Sequence, residues 1–93
     1  MKESTIKDDV LKYLNSLPKC KAIKIHGNAY TEAGTPDIAG CIQGRSFWIE
    51  LKRPGEEPTV IQRKRIREWS DAGAITGVAE SMDDIKRIFS LYI

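Results

Sequence analysis

The chain has 93 residues, 41% hydrophobic and 30% charged, with a net charge of only +2. This is the balance of an ordinary globular protein with one modest core, and it excludes a disordered, collagenous or disulfide-stapled chain. The sequence has no apolar run of the roughly 18 residues a membrane helix needs and no leader-like segment. One soluble, intracellular, cytoplasmic domain over 1–93 with no membrane partner is therefore expected. Cys20 and Cys41 show no CxxC pattern, which argues against a disulfide scaffold or zinc site and for two small buried apolar residues.

Taken in chain order, Ile6, Val10, Tyr13 or Leu14, and Leu17 recur at helical spacing and predict a helix over 5–17. Thr5 and Asp8 form its capping pair and Pro18 its stop. Residues 20–26 alternate as a strand does, with Ile23 and Ile25 on one face and Lys24 and His26 on the other. A loop over 27–36 holds two glycines and a lone aromatic, Tyr30. Strand-like runs at 37–43 and 47–52 follow, with Gln43-Gly44 between them as a two-residue turn whose glycine tolerates positive φ. Pro36 has no N–H and suits the first position of a strand. Prolines and a glycine break the chain over 53–58. A helix over 59–72 ends at Gly73, a short apolar run over 74–79 suits a buried strand, and Ser81 caps a helix reaching Tyr92. Ile85, Ile88, Phe89 and Tyr92 form its inner face. The expected order is α-β-β-β-α-β-α, an α/β fold with a small mixed sheet flanked by helices.

The hairpin carries the chemistry. In Phe47-Trp48-Ile49-Glu50-Leu51-Lys52, Glu50 and Lys52 emerge on one face and Ile49 and Leu51 on the other. A two-residue turn sets Ile42 opposite Arg45, which places Asp37 directly opposite Glu50. Opposed Cβ atoms lie roughly 4.5–5.5 Å apart, so the two carboxylates repel. A bound Mg²⁺ reverses the sign of that interaction, and Lys52 supplies a cation for a phosphate. Asp37, Glu50 and Lys52 thus form a candidate site for phosphodiester hydrolysis; the competing reading is a solvated polar face with a weak ion pair.

On the helix over 59–72, Gln62, Ile66 and Trp69 share one face and Arg63, Lys64 and Arg67 roughly the opposite one. The basic side suits phosphate-backbone contact or simply water. Gln62 either closes a Thr59-x-x-Gln62 capping box or reaches the site from the inner face. Glu3 either extends the buried stripe of the first helix or is a terminal residue suited to the helix dipole. Lys24, His26, Tyr30 and Arg53 complete the candidate DNA contacts, and Tyr30, Trp48 and Tyr92 are candidates for stacking, an interface or ordinary packing.

Gly34-Thr35-Pro36-Asp37, then Glu50-Leu51-Lys52, then Gln62 on the following helix resemble the PD-(D/E)XK nuclease superfamily, and within it the VRR-NUC family of virus-type replication-repair nucleases. The resemblance runs from Glu3 to the strand ending at Ala79. It implies a restriction-endonuclease-like core and a Mg²⁺- or Mn²⁺-dependent deoxyribonuclease with no nucleotide cofactor. Asp37, Glu50 and the Leu51 carbonyl would be metal ligands, Lys52 would position or help deprotonate the attacking water, and Gln62 would orient water or substrate. Glu3 would hold a second metal or order the first. Small members of the family are similar to Holliday-junction resolvases and act as homodimers on branched DNA, in some cases as virus-encoded proteins. The alternatives are a non-catalytic nucleic-acid-binding module, an interaction domain with an incidental acidic hairpin, and a nickase or nuclease acting on linear or flap DNA.

Overall fold

The computed structural model describes residues 3–93, with side chains from residue 6 onward. Helix α1 (Glu3–Ser16) leads into β1 (Cys20–Lys24), β2 (Ile38–Ile42) and β3 (Arg45–Leu51); α2 (Val60–Asp71), β4 (Ile75–Ala79) and α3 (Met82–Ile88) follow, with a 3₁₀ turn at Ser90–Tyr92. The strands lie in the order β1-β2-β3-β4. The β1–β2 and β2–β3 pairs are antiparallel and β3–β4 is parallel, with α2 as the crossover that a parallel pair requires. The sheet is therefore mixed and the element order is the expected one.

The turn decides the register. Gln43 and Gly44 both have positive φ, 49° and 86°, the combination that matches a hairpin to the twist of its strands. Ile42 pairs with Arg45 and Ile38 with Ile49, as the turn length predicts. Gln43 is held in the left-handed region from two sides. Its N–H donates to the Lys19 carbonyl at 2.8 Å, and its side-chain amide donates to the Tyr92 carbonyl. A Cβ at Gly44 would meet nothing within 4 Å, so Gly44→Ala tests backbone strain alone. We expect a loss of about 1 kcal/mol, read as a lower melting temperature.

Alternation sorts the sheet into two faces. Ile38, Ile42, Phe47, Ile49 and Leu51 pack with Val10 and Leu14 of α1 and with Ile85 and Phe89 of α3. Phe47 meets Phe89 edge-on, with ring centroids 5.0 Å apart. The opposite face carries α2, whose Trp69 stacks on Trp48 at 3.8 Å. Thr59 and Gln62 close the capping box on α2: the Thr59 hydroxyl accepts from the Gln62 N–H, and Gln62 Oε1 accepts from the Thr59 N–H. At the outer edge of the sheet, the Asn15 amide bonds both the N–H and the carbonyl of Ala22, occupying backbone groups that would otherwise be open to another strand.

Several boundaries differ from expectation. Helix α1 begins at Glu3, so Thr5 lies in its first turn and is not the cap. Strand β1 stops at Lys24, after which the Ile25 N–H donates to the Asp37 carbonyl and the chain leaves the sheet. The last helix ends at Ile88, because Phe89 settles into the core and the chain tightens into an i→i+3 turn closed by Tyr92 N–H on the Phe89 carbonyl. Strand β4 is an edge strand rather than a buried one, with Val78 exposed. Cys41 is also exposed and Cys20 only half-buried; the Cys41 side of β2 faces away from the core.

Ser81 caps α3, accepting from the Asp84 N–H, while the Asp84 carboxylate accepts from the Glu80 N–H at 2.9 Å. That backbone donor, helped by Arg87, holds the Asp84 carboxyl below the ordinary range despite some desolvation. Its contribution is complete above the unfolded-state value of about 3.9 and is lost as pH falls through the lower folded value. Melts of Asp84→Asn should accordingly show a shallower acid limb than wild type below about pH 4.

Among the described residues, no helix is long and apolar enough to cross a membrane.

Candidate active site at the open end of the hairpin

The site is built where β2 begins and β3 ends. Pro36 is fully buried and delivers Asp37 one residue ahead of β2. The Asp37 carbonyl accepts from Ile25 N–H and its Oδ2 accepts from Leu51 N–H, both at 2.8 Å. The second bond ties the strand ends together and turns the carboxylate toward β3. Continuing the observed register one step puts Asp37 across from Glu50, the predicted opposition. Glu50 is 2% exposed and shares its sheet face with Trp48 rather than with the core residues Ile49 and Leu51. Lys52 follows directly, half-buried, its N–H extending the parallel ladder to the Ala79 carbonyl at 2.9 Å. Among the described residues its ammonium makes no ion pair.

Sequence reasoning missed Lys7. Its Nζ stands 3.6 Å from Asp37 Oδ1, with only 17% of the side chain exposed. A signal was present, since Lys7 lies three residues before Val10 and seven before Leu14, on the stripe that faces the core. A lysine on a buried stripe needs a charged partner, and the carboxylate opposite supplies it.

The side-chain donors at this end of the hairpin are hard oxygens, the carboxylates of Asp37 and Glu50. That chemistry fits Mg²⁺ or Mn²⁺ and not a thiophilic ion. No group of three or more His, Cys, Asp or Glu side chains converges among the described residues. Asp37 and Glu50 would offer an ion two carboxylates, leaving its other positions to backbone, water or substrate oxygens, the pattern Mg²⁺ favours.

Two solved structures share this architecture. One, a VRR_NUC domain protein, matches with a TM-score of 0.77 at 21% identity, over 100% of this chain and 88% of its own. The other, a VRR_NUC domain, matches with a TM-score of 0.79 at 17% identity, over 98% of this chain and 97% of its own. The chain has the VRR_NUC fold. By sequence alone, no family profile and no curated protein matches it.

Within the VRR_NUC fold the remaining predicted residues separate. Gln62 is half-buried on α2, but its Oε1 is committed to the capping box, so a part in the site would fall to its Nε2 group. The Glu3 side chain lies outside the described residues. Arg63, Lys64 and Arg67 are exposed on the outer side of α2, with Arg63 paired to Glu57 at 2.8 Å. Lys24 pairs in register with Ile38 and so emerges on the α1 face, away from Glu50. His26 and Arg53 are exposed in the loops after β1 and β3, and Tyr30 is 98% exposed. Trp48 and Tyr92 do structural work: Trp48 stacks on Trp69, and the Tyr92 hydroxyl accepts from Arg45 at 3.0 Å.

Arg65 was not anticipated either. It is 14% exposed and reaches from α2 to the Glu32 carboxylate, the Ala33 carbonyl and Glu68, each at 3.0 Å. Gly34, at φ 82°, packs against Ile61 of α2 so closely that a Cβ would lie 2.7 Å from the Ile61 carbonyl oxygen. Together they clamp the loop that carries Asp37 onto the start of α2.

Proposed function

We propose that the protein is a Mg²⁺- or Mn²⁺-dependent DNA endonuclease of the VRR-NUC type, acting on branched DNA in the manner of a Holliday-junction resolvase. What supports the reading is the hairpin register, which extended one step sets Asp37 across from Glu50 with Lys52 two residues on, in a VRR_NUC fold. A polar face that is merely solvated does not explain a glutamate only 2% exposed beside a second acid.

A divalent cation held by Asp37, Glu50 and the Leu51 carbonyl would polarise a phosphoryl oxygen and acidify a bound water. The Leu51 amide fixes the rotamer of Asp37 through Oδ2, and Lys7 offsets part of its charge. Burial holds Glu50 still. Lys52 places a positive charge where negative charge develops on the phosphate and positions the attacking water. Arg63, Lys64 and Arg67 supply sequence-independent contacts to the backbone, so binding weakens steeply with salt. One site cuts one strand; a two-fold homodimer would present two sites to the two symmetric strands of a junction.

The deciding experiment incubates the protein with four-way junction, flap, linear duplex and single-stranded DNA, with Mg²⁺ or with EDTA. Symmetric paired nicks in the junction, abolished by EDTA, support the reading. Cutting confined to linear or flap DNA replaces the branched substrate with the simpler one. Salt-sensitive binding that ignores EDTA, with no cleavage, ends the nuclease reading in favour of a binding module.

A further inference from the structure

The loop between β1 and β2 encloses an open concavity of about 420 Å³, lined by Asn28, Thr31, Glu32, Thr35, Pro36 and Asp37 with the intervening glycine backbone. It falls within the roughly 300–1,000 Å³ of small-molecule pockets and is far too small for a duplex. Asp37 is among the residues that line it, so the concavity adjoins the candidate active site.

The walls are polar and already set. The Tyr30 N–H donates to Asn28 Oδ1 at 2.8 Å, the Asn28 N–H to Thr31 Oγ1 at 3.1 Å, and the Thr35 hydroxyl to the Glu32 carbonyl at 2.6 Å. Arg65 anchors the same segment from α2 through Glu32 and Ala33. These bonds shape a turn whose tip is Tyr30, between two residues that line the concavity. Its ring is 98% exposed, so it adds nothing to the core, and yet the turn beneath it is held by side chains. Tyr30 stands exposed on the turn between Asn28 and Thr31, both of which line the concavity, and an exposed aromatic face of this kind can serve as a base-stacking platform.

We infer that the concavity receives one unpaired nucleotide next to the scissile phosphate, its base stacked on Tyr30 and its polar edge turned to the hydroxyls and backbone of the loop. The inference rests on the nuclease reading and deepens it, because it names the feature of branched DNA that is recognised. Taking a base out of a duplex costs unstacking and unpairing energy, and that cost is least where the base is already unpaired, as at a branch or bulge. The recess therefore selects branched over fully paired DNA with no contact to sequence.

The test compares cleavage of a duplex carrying one unpaired 2-aminopurine nucleotide beside the cut with cleavage of its fully paired counterpart. Wild type, Tyr30→Ala and Tyr30→Trp are compared in Mg²⁺, and 2-aminopurine fluorescence is followed on binding. We expect wild type to favour the unpaired substrate and to quench the fluorophore by stacking. Tyr30→Ala should lower the unpaired-to-paired rate ratio by about 5-fold or more and abolish the quench, and Tyr30→Trp should restore both. A ratio unaffected by Tyr30→Ala, or an equal loss on both substrates, overturns the inference while cleavage by wild type leaves the nuclease reading standing. Absence of metal-dependent cleavage of any substrate by wild type overturns both.

Discussion

On the proposed function, Asp37→Asn should lower metal-dependent cleavage by at least about 100-fold and leave the domain folded. The magnitude follows from position: outer-shell partners of a metal typically cost 10- to 100-fold when lost, and a direct ligand costs more. The intact fold follows from the geometry. Asp37 Oδ2 accepts the Leu51 N–H, and an asparagine oxygen accepts the same bond, so the ends of β2 and β3 stay joined. What disappears is the negative charge, and with it the partner of Lys7 at 3.6 Å; because both side chains are largely buried, the variant should melt below wild type while remaining folded. A second readout separates ligand from scaffold. Mg²⁺ should raise the melting temperature of wild type, because it binds the folded state, and should fail to raise that of the variant. Full cleavage by Asp37→Asn would end the proposal that this carboxylate holds a metal.

Gly40→Ala should destabilise the domain by about 3 kcal/mol or more, the largest effect expected from a single methyl group here. A Cβ at this position would lie 2.0 Å from the Lys21 carbonyl oxygen and 2.5 Å from Phe47 Cζ. The first obstacle is backbone of the neighbouring strand and cannot rotate away. The second is a ring lodged edge-on against Phe89, and moving it opens the core. Either strand β1 moves off β2 or the aromatic pair is lost. Total stabilities of such domains run only about 5–15 kcal/mol. At about 4–8 °C per kcal/mol, the melting temperature should fall by more than about 10 °C. Gly44→Ala is the control, because it adds the same methyl where nothing stands within 4 Å. Similar melting temperatures for the two variants would mean that the close packing over Gly40 carries no such cost.

The parts legible in the sequence are those decided by residues close together in the chain. A two-residue turn leaves one register, so the opposition of Asp37 and Glu50 could be read directly and continues the observed pairing. The Thr59–Gln62 capping box spans a single helical turn, and helical spacing marked Val10 as core while leaving Tyr13 or Leu14 open; packing chose Leu14. The element order followed from the same local patterns and agreed with the VRR-NUC resemblance drawn from Pro36-Asp37, Glu50-Leu51-Lys52 and Gln62, which the matching structures bear out as a fold.

Other features join residues that only packing brings together. Lys7 meets Asp37 because α1 crosses the sheet near the hairpin mouth, and Arg65 clamps Glu32 and Ala33 because α2 returns beside the glycine loop. The stack of Trp48 on Trp69 and the parallel pairing of β3 with β4 depend on how α2 folds back. Alternation also gives only the face of Glu50, not its depth. By itself, then, the sequence determined which side chains share a face and which strand positions oppose each other, since backbone periodicity and turn length set both locally. The tertiary structure alone decided how deeply each charge is buried and what stands beside it, because those depend on helices arriving from distant parts of the chain.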